Sequence, residues 1–115
     1  MAGLKKSFLA GLMFLIASNV IVMANDEGNN SKFFASFAGA KKLPMRPVEP
    51  ITYEEAQKAL SYIEATYDED GRLIRLTKFV NKTIYFVQST SYDNEGKIAR
   101  VIVKDAEGNI TEENK

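Results

Sequence analysis

Carboxylates gathered ahead of a glycine are the first feature of this chain with chemical potential. The pattern Asp-x-x-Gly occurs three times, as Asp68-Glu69-Asp70-Gly71, Asp93-Asn94-Glu95-Gly96 and Asp105-Ala106-Glu107-Gly108. Such clusters can hold Ca²⁺. An EF-hand loop needs acids at alternating positions before its glycine and a glutamate six residues after it. Aligned on Gly71, those positions hold Thr66, Asp68, Asp70 and Thr77. Aligned on Gly96, they hold Ser91, Asp93, Glu95 and Ile102. Both loops lack the first acid and the last. Turn formation accounts for the same residues more simply. Asp at the first position of a type I turn accepts hydrogen bonds from the backbone ahead of it, and Gly at the fourth tolerates a left-handed conformation. The expectation is therefore structural turns, with no metal and no cofactor.

Other chemistry is excluded by what is missing. The chain has no His and no Cys. A Ser-His-Asp triad, a Cys nucleophile, a thiolate zinc site and an imidazole base are all ruled out. The remaining acids fall in turns or on a helix surface and do not converge, so no catalytic residue is assigned and a non-enzymatic role is expected. Aromatic side chains are the better candidates for contact. Phe33, Phe34 and Phe37 cluster in one short segment, and Tyr85 and Tyr92 stand in a β-rich stretch, where Tyr suits an interface. Tyr67 is of the same kind.

Destination is written at the start of the chain. Lys5 and Lys6 precede an apolar run from Phe8 to Met23, and Val22-Met23-Ala24 places short side chains before Asn25. This is the pattern of a secretory signal over 1–24, cut before Asn25. The run is short for a membrane span, so membrane contact is expected only through this segment if it is uncleaved. Without Lys5 and Lys6 the 15 Lys+Arg fall to 13, against 15 Asp+Glu. That slight acidity argues against nucleic acid or anionic lipid as a partner. A secreted domain this small without disulfides points to a bacterial envelope protein. Asn-x-Ser/Thr sites at Asn29, Asn81 and Asn109 carry no weight in that setting.

The elements that must position these residues follow from local signals. The polar stretch 25–32 reads as flexible. The segment 31–43 has its three phenylalanines on one side of a marginal helix. Pro44, Pro47 and Pro50 then suggest an extended polyproline-like spacer. Residues 25–50 are thus expected outside the folded domain, which would occupy 51–111 and leave a tail over 112–115. Thr52 with Glu55 forms a capping-box signature. Ala56, Leu60 and Ile63 continue it as an apolar stripe, predicting a helix over about 53–65. Turn signals every dozen residues, with Asn81-Lys82 as a two-residue hairpin turn, predict strands at about 72–80, 83–92 and 97–104. The fold class expected is α+β, one N-terminal helix followed by a three-stranded antiparallel β-meander. With a regular hairpin, Leu76 would face Val87, and both sheet faces would be apolar. One helix covers one face. The segment 31–43 is expected to dock on the other, or to contact a partner there.

Two families resemble parts of this pattern. Ile51, Glu54, Glu55 and Ala56, followed by a hairpin and by Asp105-Ala106-Glu107-Gly108, are similar to the PepSY family of small envelope domains. That resemblance implies a secreted binding or accessory module, of a class thought to restrain proteases, and it brings no catalytic residues. The last phrase is one residue shorter than the family's and lacks its Thr. The phrases YDEDGRL (67–73) and YDNEGKI (92–98) resemble the tyrosine-aspartate repeats of bacterial secreted shells. That resemblance implies a structural β-hairpin protein in which 61–67 is a further strand. The partner expected is another protein or a second copy of the chain.

Overall fold

A computed structural model describes residues 30–115 of the chain. The expected signal segment 1–24 lies outside the described residues. The elements are β1 (Ser31–Ala38), β2 (Arg46–Ile51), α1 (Tyr53–Lys58), β3 (Ser61–Tyr67), β4 (Leu73–Val80), β5 (Thr83–Tyr92), β6 (Ile98–Asp105) and β7 (Ile110–Asn114). The strands form one sheet of seven in the order β2-β1-β3-β4-β5-β6-β7. Pairing is antiparallel between β1 and β2 and at each step from β3 to β7. No helix among the described residues is long and apolar enough to cross a membrane.

This corrects the expected α+β meander. The capping box is present, with Thr52 Oγ1 accepting from Glu55 N at 3.0 Å and Glu55 Oε1 accepting from Thr52 N at 2.8 Å. The helix nevertheless ends after six residues, and Ala59 is already extended. The apolar stripe that extended it to 65 does not hold. Ala56 and Ile63 are buried, but Leu60 is 71% exposed. Residues 61–67 alternate with the period of a strand, and Ile63 and Ala65 face the core opposite Lys78 and Leu76. The extra strand implied by the tyrosine-aspartate resemblance is therefore present.

Of the segment expected outside the domain, the described residues 31–38 and 46–50 belong to the sheet. Residues 31–38 are β1 rather than a marginal helix, with Phe34 in the core and Phe37 packed against it. The expected proline spacer is divided, with Pro44 in the connection before β2 and Pro47 and Pro50 within β2. Pro47 and Pro50 lack an N–H, which an edge strand tolerates and a central strand does not. Residues 110–114, expected to be the domain's last residues and its tail, form the opposite edge.

Each Asp-x-x-Gly phrase closes a hairpin in the expected way. Asp68 Oδ1 accepts from the N–H of Asp70 and of Arg72, both at 2.9 Å, while Gly71 N donates to Asp68 O at 3.0 Å. Asp93 and Asp105 repeat the same geometry with Glu95 and Lys97, and with Glu107 and Asn109. Gly71 has φ 81°, where a side chain would be strained.

Register across β4 and β5 differs by one residue from the expected hairpin. Asn81 and Lys82 both take positive φ, and Val80 faces Thr83 as expected. Tyr85 is then an unopposed bulge residue. Beyond it Lys78 faces Phe86, and Leu76 faces Gln88 rather than Val87. A one-residue slip exchanges the two faces. One face therefore collects Ile63, Ala65, Leu76, Phe86, Gln88 and Val101. The other carries the stacked pair Tyr62–Phe79, at 5.0 Å between ring centroids.

The core face is covered by the connection 39–45. Leu43 and Met45 are buried there with Phe34, Ile63, Leu76, Phe86 and Val101. Gln88, fully buried, anchors that connection. Its Oε1 accepts from Met45 N at 2.7 Å, and its Nε2 donates to Met45 O at 3.0 Å.

Candidate functional site

The connection 39–45 covers the core face incompletely. Between it and the ends of β5, β6 and β7 lies an open cleft of about 450 Å³. Its apolar lining is Phe37, Ala40, Leu43, Met45, Phe86 and Val103, and its polar lining is Lys41, Asp105, Thr111 and Glu113. Phe37 meets Phe86 edge to face at 5.3 Å. Tyr85, the bulge residue, is 57% exposed beside Phe86, where a second hollow of about 260 Å³ adjoins the first through Phe86 and Asp105.

Charge around the cleft is unevenly satisfied. The Asp105 carboxylate accepts from the backbone N–H of Asn109 and Glu107 and from Asn109 Nδ2. Those bonds, led by the Asn109 backbone and side chain, hold its pKa below the ordinary carboxylate range. Glu113 Oε1 pairs with Lys115 Nζ at 2.9 Å, and that ammonium also donates to Leu43 O at 3.0 Å. Lys78 Nζ lies 5.3 Å from the Phe37 ring centroid and 5.6 Å from that of Tyr85, a cation held by aromatic faces. Among the described residues neither Lys41 nor Lys78 has a carboxylate partner. The acids here are engaged by their own turn or by a lysine. The site is thus an apolar floor with the Lys41 ammonium, unpaired with any carboxylate, at its rim.

Of the six aromatic candidates, the fold gathers two at this site. Phe37 lines the cleft, and Tyr85 borders it through Phe86 and Lys78. Phe34 is a core residue. Phe33 packs against Tyr53 and Tyr62, at 5.4 and 6.1 Å. Tyr92 has a structural role. Its Oη donates to Leu73 O at 2.7 Å, and the Arg72 guanidinium lies over its ring at 4.8 Å. Burial pushes its phenol pKa up, Asp68 adds to the rise and Arg72 opposes it. Tyr67 is half-buried against the core beneath Lys32.

Leu43, Met45, Lys78 and Phe86 were not distinguished by sequence reasoning. Leu43 and Met45 flank Pro44 in a stretch with the composition of a linker. The signal there was two large apolar residues where a solvated spacer needs none.

The profile of a family of unknown function, DUF6156, matches residues 26–114. The chain belongs to that family. No curated protein and no solved structure shows a significant match. The DUF6156 match spans β1 to β7, so the family unit includes the two strands that form one side of the sheet and the connection that forms one wall of the cleft.

Proposed function

We propose that this DUF6156 chain is a non-catalytic binding module of the bacterial envelope, secreted or periplasmic, that docks on another envelope protein through the cleft between 39–45 and β5–β7. A protease held in check is one such partner. The observation carrying this reading is the cleft itself, an apolar floor of Phe37, Leu43, Met45, Phe86 and Val103 left open to solvent on a face that is otherwise covered. Open apolar concavities rimmed by polar groups are where small domains make contacts. Export is supported by the Lys5-Lys6, apolar and Val22-Met23-Ala24 sequence.

The test has two parts. N-terminal sequencing of material from the extracellular or periplasmic fraction should begin at Asn25. Tagged protein should retain one stoichiometric envelope partner, and Lys41→Glu at the cleft rim should lose it while melting at the same temperature. A partner retained equally by that variant places the contact elsewhere and removes the cleft from the reading.

A further inference from the structure

The two edges of the sheet are not equivalent. At one edge, β2 is blunted by Pro47 and Pro50, which have no N–H, and by Glu49 at φ 63°. At the other, β7 is short, exposed and free of proline. Asp105 N donates to Asn109 O, and Lys115 N donates to Ala99 O. Antiparallel pairing alternates with a period of two. Thr111 and Glu113 therefore turn their backbone groups toward β6, and Ile110, Glu112 and Asn114 turn theirs outward. The outward N–H and C=O groups can receive another strand.

The cleft adjoins this edge, because Thr111 and Glu113 line it. A strand added beside β7 sets the residues opposite Thr111 and Glu113 on the same face as those side chains, toward the cleft. We propose that edge and cleft together form a strand-addition site for an extended segment of another protein. One core-facing side chain of that segment is apolar and enters the cleft. The next core-facing residue is acidic and meets Lys41, the lining cation, which has no carboxylate partner, whereas the lining acids Asp105 and Glu113 are already bonded by their turn and by Lys115. A second copy of the chain is the poorer occupant, since its own β7 would present Thr111 and Glu113 to an apolar floor. The inference rests on the protein-binding reading and adds the geometry and chemistry of the partner to it.

The probe is the blocked peptide acetyl-Val-Thr-Leu-Thr-Glu-Thr-Val-amide, titrated into isotope-labelled protein, with a Lys-for-Glu peptide as its counterpart. Binding should slow hydrogen exchange at the amides of Ile110, Glu112 and Asn114 and shift the Phe37 and Phe86 ring signals. Glu112→Pro removes an outward N–H and leaves the backbone bonds to β6 in place, though it also loses the ion pair with Arg100, and it should weaken binding about tenfold or more. Glu112→Thr keeps that N–H and isolates the main-chain effect. Lys41→Glu should reverse the preference between the two peptides. Ring shifts without slowed edge amides would keep the cleft as a binding site and overturn strand addition. No response at either place would overturn both. Self-association that Glu112→Pro abolishes would assign the edge to a second copy and overturn the proposed partner.

Discussion

Replacing Gln88 by Leu tests how the cleft is built. Gln88 is fully buried, and its side chain bonds both the N–H and the C=O of Met45, at 2.7 and 3.0 Å. In effect one amide side chain stands in for a neighbouring strand and pins 39–45 to the sheet. Leu has nearly the same volume, so the substitution makes little cavity. It leaves two buried backbone groups unpartnered, at about 1–3 kcal/mol each. The added apolar surface returns about 1 kcal/mol. The net loss should be about 3 kcal/mol, a large share of a small domain's stability. For a domain of this size that corresponds to a melting temperature lower by about 10–20 °C. Urea unfolding followed by circular dichroism, fitted alongside the wild type, measures it. Because Leu43 and Met45 line the cleft, the variant should also bind cleft ligands more weakly at temperatures where it is folded. A loss below about 1 kcal/mol would mean that water satisfies Met45 or that the connection is held mainly by Leu43, and the account of Gln88 as its anchor would be wrong.

Other substitutions probe single terms. Lys82 sits at φ 64° in the second position of a two-residue turn, where Gly is preferred. Lys82→Gly should raise stability by about 0.5–1 kcal/mol despite losing the exposed bond from Lys82 Nζ to Gln57 O, and a fall in the urea midpoint would contradict this. Gly71→Ala meets no atom within 4 Å, so its cost should be that of the positive φ alone, about 1 kcal/mol by thermal melting. Thr90 Oγ1 is buried without a partner, and Thr90→Val should be neutral or stabilising by up to about 1 kcal/mol, where a loss would reveal a bonded water. The pKa values of Asp68, Asp105 and Glu112 are lowered, chiefly by backbone bonds from Arg72 and Asn109 and by the Arg100 side chain respectively. A carboxylate depressed in the folded state stabilises above its unfolded pKa and loses that contribution as pH falls through the folded value. The urea midpoint should hold steady from neutrality down to about pH 5 and drop below about pH 4, with a smaller drop in Asp68→Asn. A midpoint that rises on acidification would refute the assignment.

Features set within a few residues were legible in the sequence. The Asp-x-x-Gly turns, the Thr52–Glu55 capping box and the Asn81-Lys82 hairpin each depend on hydrogen bonds between near neighbours, so residue type and spacing suffice. The three strands expected after residue 71 were placed within a residue or two for the same reason, since turns bound them. Of the site, Phe37 and Tyr85 could be named as aromatic candidates. Their neighbours could not, because which side chains meet across β4 and β5 depends on a bulge at Tyr85 that no local signal marks.

Where local preference and long-range pairing competed, pairing decided. Residues 59–65 had a helix cap behind them and an apolar stripe, but burying Ile63 and Ala65 between β1 and β4 on the core face outweighs a few more turns of a marginal helix. The prolines of 44–50 read as a spacer because nothing nearby shows that this stretch becomes an edge, the one place in a sheet where a missing N–H is tolerated. The cleft is the furthest from sequence of all. Gln88 holds Met45 across 43 residues of chain and Lys115 holds Leu43 across 72, contacts that exist only once the sheet has assembled. What the sequence determined by itself was where the chain turns and what chemistry it lacks. What only the tertiary structure decided was which faces those turns bring together, because a strand's partner and register are properties of the whole sheet.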